Sequence, residues 1–491
     1  MMPEEMPLVE AVREYVNQKV VRFHMPGHKG GRGAGSAIKE FLGMSAFLAD
    51  VTNVPGMDDL HQPSGAIHKA EELAAKLFNA DNSYFLINGS SCGVMALIMA
   101  VCNPGEKILV PRNMHRSILS GIIICGAHPV FFRPVYDIDL FLPLAVKPET
   151  IRDALKEHPD ARAVFLISPT YNGITSDITE IAHIVHGHGI PLVVDEAHGP
   201  HLGFNELLPD SALHEGADAV VHGTHKILTS FTQASMLHVK GGRVDRARLE
   251  QSLRVIQSTS PSYLLMASLD AARADMASRG RDMLERAIST AENLRRRCNE
   301  IPGLFSFDQK WAVNKGAAGL DSTKVTVTVK NLGVTGLWTE KWLRDNYRVQ
   351  VEMSDPLNIL AMITSGNTSE DVDQLINGLK NIPVLKRNFM ETGPLLLRMT
   401  PNAGQPPEAP MVVSPREAFF APSIPVLLED AKGRVSAETV AVYPPGIPAI
   451  CPGEEITAEI IDYLVVARRM GMHFQGPKDP KLDFIRVLRD H

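Results

Sequence analysis

An acidic and a basic side chain that could do chemistry together follow two apolar runs in the middle of the sequence. The run 191–194 leads to Asp195, and the run 217–221 is followed closely by Lys226. Short runs that are apolar throughout are typical of strands buried on both faces of a parallel sheet. If these strands are parallel neighbours, their carboxyl ends deliver the carboxylate and the amine to one edge of the sheet, where ligands bind in open α/β folds.

This pair of groups has the chemistry that pyridoxal phosphate requires of a protein. The Lys226 amine can bind the aldehyde of that cofactor covalently, and the Asp195 carboxylate can pair with the ring nitrogen and keep the ring an electron sink. The letters DEAH at positions 195–198 also occur in ATPases that act on nucleic acids. Those proteins need a glycine-rich loop with a phosphate-binding lysine, and this sequence has no such motif.

Several sequence blocks, spread from about residue 23 to about residue 455, resemble the ornithine/lysine/arginine decarboxylases. The blocks are FHMPGHKGG, GMDDLHQPSG, DEAHG, THKILTSFTQ, TSPSYLLMASLD and YPPGIPAICPGE. The resemblance implies the α/β fold of the aspartate-aminotransferase type (pyridoxal-phosphate fold type I), with a mainly parallel sheet in a large domain and a smaller α+β C-terminal domain. It also implies pyridoxal-phosphate-dependent decarboxylation of a basic L-amino acid.

A second candidate site lies in the turn 88–93, between a predicted strand at 84–87 and a predicted helix at 94–101. Backbone N–H groups, the hydroxyls of Ser90 and Ser91 and the helix dipole would together favour a bound phosphate. Serine at such a position more often only caps a helix. The resemblance assigns Ser90 and Ser91 to the cofactor phosphate, and it assigns His115 to stacking on the pyridine ring.

The residues around the candidate lysine receive their roles from the same resemblance. Thr224 and His225 directly precede Lys226, and both could reach the cofactor phosphate. Many family members carry serine where Gly223 stands. The resemblance places His198 under or beside the cofactor, where either His198 or Lys226 would return the proton after the carboxylate has left.

A substrate with a second cationic group needs a carboxylate partner, because an unpaired charge in a closed site is costly. The acidic candidates are Asp58 and Asp59 in GMDDLH and Glu454 in CPGE. Acids in turns are often only turn formers, since turns select aspartate, but the resemblance places both blocks near the active site. Arginine, giving agmatine, is the first expected substrate, followed by lysine and ornithine. An aminotransferase on the same fold is the alternative.

The composition argues against other classes of protein. The 491 residues carry a formal net charge of -7, which disfavours nucleic acid as a partner. No apolar run approaches the roughly 18 residues of a membrane span, and the N-terminus lacks a signal-peptide pattern. Five scattered cysteines predict reduced thiols in a cytoplasmic protein. His183, His186 and His188 share a predicted helix, but no cysteine or carboxylate set completes a metal site there.

The elements that must position these residues follow from local patterns. We expect an amphipathic helix at 7–19, a helix capped by Ser64 and a long helix to about residue 300 that is capped near 259–263. The chain length predicts more than one domain. The predicted divisions are an N-terminal helix and active-site arm at 1–60, a cofactor-binding large domain at 61–300, a small α/β domain at 301–400 and a C-terminal segment at 401–491, with a proline-rich joint at 401–410.

The resemblance also bears on assembly and on biological role. Ser260, in the loop before the long helix, is expected to reach the cofactor phosphate of a neighbouring subunit. Such sharing implies a homodimer or a higher homo-oligomer with composite active sites. The chain is shorter than the acid-stress members of the family, which carry an additional N-terminal domain. We therefore expect a biosynthetic enzyme that feeds polyamine (spermidine) synthesis.

Overall fold

The computed structural model describes residue 2 and residues 4–382, 405–443 and 446–490. Residues 401–404 of the predicted proline-rich joint, and the predicted division at residue 400, lie outside the described residues. The helices are α1 (Pro7–Asn17), α2 (Ser36–Leu42), α3 (Met44–Ala49), α4 (Ala66–Leu77), α5 (Gly89–Val101), α6 (Arg116–Cys125), α7 (Pro148–Glu157), α8 (Ile178–Gly187), α9 (Thr224–Ile227), α10 (Arg246–Ile256), α11 (Tyr263–Asn299), α12 (Gln309–Asn314), α13 (Gly336–Tyr347), α14 (Ser369–Lys380), α15 (Pro415–Phe420) and α16 (Ala458–Arg469).

A seven-stranded sheet forms the centre of the fold. Its strands are β1 (Asn82–Leu86), β2 (Lys107–Pro111), β3 (His128–Phe132), β4 (Val164–Ile167), β5 (Leu192–Asp195), β6 (Ala219–His222) and β7 (Ser235–Val239). Their order across the sheet is β1-β7-β6-β5-β4-β2-β3. Strand β7 is antiparallel to both of its neighbours, and the other neighbouring pairs are parallel. Parallel neighbours need crossover connections, which the helices between the strands supply.

The two apolar runs predicted as neighbouring parallel strands are β5 and β6. Val193 lies opposite Ala219, and Asp195 lies opposite Val221, in parallel register. Every residue of both strands is buried, because helices cover both faces of the sheet. The prediction is confirmed, and Asp195 and Lys226 lie at the same carboxyl edge.

Helices pack on both faces of the sheet. Leu97 of α5, Ile118 of α6 and Leu249 of α10 are fully buried in the core on one face. Ile151 of α7 and Ile181 of α8 are fully buried in the core on the other face. Each such side chain contributes about 1.5–3 kcal/mol through burial, so both layers hold the carboxyl edge of the sheet in place.

Smaller sheets follow in the C-terminal part of the chain. Their strands are β8 (Lys324–Thr328), β9 (Met353–Ser354), β10 (Asn358–Met362), β11 (Ser423–Leu427), β12 (Val440–Tyr443), β13 (Ile447–Ile450), β14 (His473–Gln475) and β15 (Phe484–Leu488). One antiparallel sheet has the order β8-β10-β9, another has the order β13-β12-β14, and β11 pairs with β15. Two-residue strands pair at Tyr136–Asp137 with Leu142–Pro143, and at Ile174–Thr175 with Gly319–Leu320.

Helix α11 is 37 residues long and contributes to two hydrophobic cores. It begins after Ser262, whose side chain accepts a hydrogen bond from the Leu265 N–H, and it confirms the predicted long helix. Tyr263 and Met266 are fully buried in a core shared with α1 and α4, whereas Leu294 belongs to the core around β8 and β10. Despite the length of α11, no helix in the described part of the chain is both long and apolar enough to cross a bilayer.

The start of α4 differs from the prediction. The residue before the helix is Gly65, which supplies no side-chain cap. The Asp58 carboxylate instead accepts hydrogen bonds from the backbone N–H groups of Gly65 (2.7 Å), Ile67 (3.0 Å) and His68 (3.2 Å). The prediction that Ser64 caps this helix is wrong, because a carboxylate from the preceding turn already takes these donors, and its negative charge suits a helix N-terminus.

Candidate active site

A cavity of about 260 Å³ lies at the carboxyl edge of the central sheet. Strand β5 ends there at Asp195, and the single turn α9 after β6 carries Lys226. The predicted site residues that line this cavity are Ser90, Ser91, His115, Asp195, His198, His225 and Lys226. The other lining residues are Gly89, Ile167, Pro169, Tyr171, Ala197, Thr232 and Gln233.

The Lys226 amine is held in a polar contact inside the cavity. Its Nζ lies 2.9 Å from Nε2 of His198 and 5.9 Å from the centre of the Tyr171 ring. Burial lowers the pKa of Lys226, and the negative charges of Asp195 and Glu352 oppose that shift. A lowered pKa leaves more of the amine neutral near pH 7, which is the form that attacks a carbonyl carbon.

His198 is a neutral partner for this amine. Its ring packs on Tyr171 with the ring centres 4.5 Å apart. Burial, together with the positive charges of Lys226 and Lys324, holds the pKa of His198 well below its usual range. The Nδ1 atom is buried and has no hydrogen-bond partner among the described residues. The imidazole therefore stays uncharged and can exchange a proton with Lys226 across a single hydrogen bond.

Asp195 presents a carboxylate to the same cavity. The Ala197 N–H donates to its Oδ1 at 3.1 Å, and the residue is only 7% exposed. Within the described residues no donor contacts its Oδ2. An anionic oxygen at a cavity wall suits a protonated ring nitrogen, since charge-assisted hydrogen bonds are the stronger ones.

The other end of the cavity has the features of an anion site. Ser90 and Ser91 lie in the first turn of α5, whose N–H groups have no helical partner. Thr224 is fully buried, and its Oγ1 has no hydrogen-bond partner in the part of the chain that the structure describes. The phosphate of a bound cofactor would satisfy the first-turn donors of α5, so the residues that line the cavity fit pyridoxal phosphate from ring nitrogen to phosphate; Thr224 lies behind that lining.

Gly223 closes the backbone around the lysine. A Cβ atom there would lie 2.7 Å from the Ala197 carbonyl oxygen and 3.0 Å from Cδ of Lys226. The serine expected at this position in many relatives does not fit here unless the neighbouring backbone shifts. The ring of the next residue, His225, is held in place by its Nδ1, which lies 2.9 Å from the Ala234 carbonyl oxygen.

His115 caps α6 and also lines the cavity. Its Nδ1 accepts a hydrogen bond from the Ser117 N–H at 3.3 Å and lies 2.8 Å from the Ser117 hydroxyl. Burial, with help from the charges of Lys226 and Arg116, lowers the pKa of His115, and Asp195 opposes the shift. The ring is therefore neutral, and the cap fixes its position at the wall. Its stacking on a pyridine ring stays a prediction.

Five predicted residues do not line this cavity: Asp58, Asp59, Thr224, Ser260 and Glu454. The Asp58 carboxylate is taken up by the backbone N–H groups at the start of α4, and Asp59 accepts from the N–H of His61 within its own turn. Ser260 is exposed to solvent. The geometry within one chain therefore gives no support to Asp58 or Asp59 as a substrate ligand, because both oxygens of Asp58 already have donors and neither residue lines the cavity.

Glu454 needs the same correction for a different reason. Its carboxylate forms an ion pair with Arg112, with Nη1 to Oε1 at 2.5 Å and Nη2 to Oε2 at 2.9 Å. Both side chains are buried, and Glu454 Oε2 also accepts from the Cys451 N–H. A carboxylate with both oxygens occupied by a buried arginine is not available to a substrate cation.

Two further residues line the cavity although no role was predicted for them, and a third acts on Lys226 from outside the lining. Tyr171 packs on His198, and Gln233, within the THK block, lines the cavity. Glu352 acts on Lys226 through its charge. Gln233 could have been found from the block that contains it, but Glu352 lies in an irregular segment before β9 with no local pattern to mark it.

The fold and the site define an enzyme of the pyridoxal-phosphate fold type I. The chain superposes on the constitutive lysine decarboxylase of Escherichia coli with a TM-score of 0.85 at 22% identity, over 99% of this chain and 82% of that one. It superposes on an alanine–glyoxylate aminotransferase of Nostoc with a TM-score of 0.52 at 17% identity, over 66% and 88% of the two chains.

The chain belongs to the Orn/Lys/Arg decarboxylase family, whose members depend on pyridoxal phosphate. The major domain of that family matches residues 6–318, and its C-terminal domain matches residues 408–479. The chain is 39% identical to an arginine decarboxylase of Bacillus subtilis over 495 residues, covering 100% of this chain and 99% of that one. It is 40% identical to an arginine decarboxylase of Halalkalibacterium halodurans over 490 residues, covering 99% and 98%. An inducible lysine decarboxylase of Escherichia coli is 26% identical, covering 96% and 78%.

Proposed function

We propose that this protein is an arginine decarboxylase, which converts L-arginine to agmatine and carbon dioxide with pyridoxal phosphate. The observation that carries the proposal is the Lys226–His198 contact beside Asp195. It is supported by full-length relatives at 39% and 40% identity that are named arginine decarboxylase. Lysine is the second candidate substrate, because more distant relatives at 26% identity are lysine decarboxylases.

Each residue of the site has a separate role in the proposed reaction. Pyridoxal phosphate, when bound, accepts the electrons that the breaking bond between Cα and the carboxylate releases. Asp195 would hold the ring nitrogen protonated, while Ser90, Ser91 and Thr224 would hold the phosphate. Lys226 would bind the cofactor between turnovers and leave when the substrate amine arrives. His198, at 2.9 Å from Lys226, would accept or return its proton.

Glu352 is the carboxylate that we assign to the distal cation of the substrate. Its side chain is exposed to solvent and lies outside the lining of the cavity, near enough to Lys226 for their charges to interact. Although the side chain is exposed, the surrounding protein desolvates part of its carboxyl and raises the pKa, and the positive charges of Lys324 and Lys226 oppose that shift. Among the described residues it makes no side-chain hydrogen bond, in contrast to Asp58 and Glu454. A guanidinium could therefore take both carboxylate oxygens in the fork geometry that arginine prefers.

Replacing Glu352 with glutamine should raise KM for L-arginine by about tenfold or more, because a charged hydrogen-bond partner of the substrate is lost. Cofactor binding should stay within about twofold of wild type, since Glu352 is not placed against the cofactor. Steady-state carbon dioxide release and cofactor titration measure the two quantities. Glu285→Gln, on the exposed face of α11, is the matched control. An unchanged KM in the Glu352 variant would remove this residue from the substrate site.

The kcat/KM for L-arginine should exceed that for L-lysine and L-ornithine by about tenfold or more. A site that binds the planar guanidinium through two hydrogen bonds binds the compact ammonium group of lysine or ornithine less strongly. A direct carbon dioxide release assay with the three amino acids side by side measures this preference. A higher kcat/KM for lysine would replace the substrate and leave the decarboxylation chemistry unchanged. Release of a keto acid without carbon dioxide would point instead to an aminotransferase.

We further propose that the enzyme is a homodimer or a higher homo-oligomer. Several apolar side chains between residues 20 and 44 are exposed in the single chain, including Phe23 at 92% and Phe41 at 82%. Exposed apolar residues that cluster in this way usually mark an interface. Ser260 is exposed beside the loop whose Ser258 carbonyl oxygen contacts Nε2 of His61. That position leaves Ser260 free to contact the cofactor phosphate of a second subunit.

A mixed dimer tests whether active sites are shared. If Ser260 serves the partner's site, a dimer of one Lys226→Ala chain and one Ser260→Ala chain has one intact site, and its activity should be about half that of wild type. Co-expression with two different affinity tags yields such heterodimers for a carbon dioxide release assay. The Lys226→Ala homodimer gives the baseline. A heterodimer no more active than one Ser260→Ala site alone would indicate self-contained active sites.

We place the enzyme in the cytoplasm, where it would feed polyamine synthesis, including that of spermidine. Agmatine is a guanidinium-bearing amine that a hydrolytic step can convert to a diamine. The cysteines of the chain support a reducing compartment, since Cys92, Cys102, Cys125, Cys298 and Cys451 are all buried free thiols.

A further inference from the structure

The buried ion pair between Arg112 and Glu454 joins two distant parts of the chain. Arg112 directly follows β2, and Glu454 lies 342 residues further on, after β13. The Arg112 side chain is 6% exposed and that of Glu454 is 1% exposed. A guanidinium and a carboxylate that meet through two hydrogen bonds fix both distance and orientation, because both groups are planar.

Additional contacts complete this junction. Arg112 Nη2 donates to the Ala449 carbonyl oxygen at 3.0 Å, and the Cys451 N–H donates to Glu454 Oε2 at 2.7 Å. The guanidinium carbon lies 4.8 Å from the centre of the Phe131 ring on β3. The pair therefore ties the segment from the end of β13 to Glu454 onto the carboxyl end of β2.

His115 is the active-site residue nearest to this junction in the chain. Arg112 precedes it by three residues, and the turn between them is held at both ends. The Arg112 N–H donates to the Phe132 carbonyl oxygen at 2.8 Å, and the Met114 N–H donates to the Pro111 carbonyl oxygen at 3.1 Å. With so short a connection, a displacement of Arg112 would move His115 as well.

The C-terminal segment also forms the wall beyond His115. A small cavity next to the active site is lined by His115 and Tyr171 on one side and by Ile447 and Tyr463 on the other. Ile447 begins β13, the strand whose last part Arg112 binds. The junction thus acts on His115 from two directions, through the turn after β2 and through the packing of β13.

We propose that Arg112 and Glu454 are positioning residues that hold His115 against the cofactor ring by fastening the C-terminal segment to the end of β2. This inference rests on the proposed function for the presence of the cofactor beside His115. It replaces the expectation that Glu454 binds the distal cation of the substrate. The two roles differ in what they predict, because one concerns the cofactor and the other concerns the substrate.

The Glu454→Gln variant separates these roles. Loss of the charge should weaken the fork, so that the apoenzyme binds pyridoxal phosphate about tenfold more weakly and kcat falls about tenfold or more, while KM for L-arginine stays within about threefold. Titration of the apoenzyme with pyridoxal phosphate and the visible circular dichroism of the bound cofactor are measured beside the kinetics. Glu300→Gln, in the exposed pair with Arg296 on α11, is the control and should change none of these quantities.

A double-mutant cycle with His115→Ala tests whether the pair acts through His115. In the His115→Ala background, Glu454→Gln should change cofactor affinity by less than about twofold, because the residue that it positions is absent. An equal loss in both backgrounds, or a raised KM with unchanged cofactor affinity, would overturn the proposal. If Glu454→Gln does not fold, Arg112→Lys, which keeps the charge and loses the fork, takes its place in the same cycle. A wild-type enzyme that releases no carbon dioxide would refute the proposed function alone, since the cofactor titration would still test the pair.

Discussion

Replacing Lys226 with alanine should abolish decarboxylation. The Nζ of Lys226 contacts His198 in a cavity that also contains Asp195, and no other lysine lines that cavity within the described residues. Loss of the covalent attachment point and of the proton that it carries should lower kcat by at least about 10³-fold. The visible absorbance of the lysine-bound cofactor should disappear in the same variant.

Carbon dioxide release and the absorbance spectrum of the purified variant measure these two losses. Lys156→Ala, on the exposed face of α7, controls for the removal of a lysine elsewhere. Thermal unfolding of both variants shows whether the fold persists. Turnover of the Lys226 variant at the wild-type rate would contradict the assignment of this lysine.

Replacing Asp195 with alanine should leave weak cofactor binding and remove most of the activity. The carboxylate is buried at the cavity wall, and among the described residues it accepts a hydrogen bond only from the Ala197 N–H. Without it the ring nitrogen would lose its proton, and the ring would accept electrons poorly. The lost stabilisation of the transition state should lower kcat by about 10²- to 10³-fold.

Asp218→Asn is a matched control for this variant. Asp218 lies at the opposite, amino end of β6 and accepts from the Leu192 N–H at 2.8 Å, so its loss should lower the melting temperature and leave kcat of the folded protein near wild type. Steady-state kinetics and calorimetry on both variants distinguish a catalytic from a structural aspartate. A kcat of Asp195→Ala within about threefold of wild type would argue against the ring-nitrogen role.

The parts of the site that could be predicted from sequence are those encoded locally. Asp195 and Lys226 each follow a short apolar strand, and parallel pairing then brings them to one edge. The serine- and threonine-containing turn at 259–263 likewise predicted where α11 begins, next to Ser262. In these cases a few consecutive residues determine both the type of the helix or strand and the position at which it begins or ends.

The parts that could not be predicted depend on distant contacts. Ser64 is a residue type that often caps helices, but the backbone N–H groups at the start of α4 donate to the carboxylate of Asp58 instead. Glu454 lies in a family block, yet its partner Arg112 is 342 residues away. Local sequence propensity does not predict the partner of a carboxylate when donors from several different elements lie within its reach. The tertiary fold decides which donors it meets, and this determines whether an acid serves structure or substrate.

Helix α11 also constrains how the molecule can come apart. At about 1.5 Å per residue it extends roughly 55 Å, with Tyr263 anchored in one core and Leu294 in another. Because α11 runs through both cores without a break, there is no hinge between them along this helix. Unfolding of one core would also fray α11, and this would remove packing contacts from the other core. We therefore expect the region that binds the cofactor and the region that carries Glu352 to unfold together, as one cooperative unit.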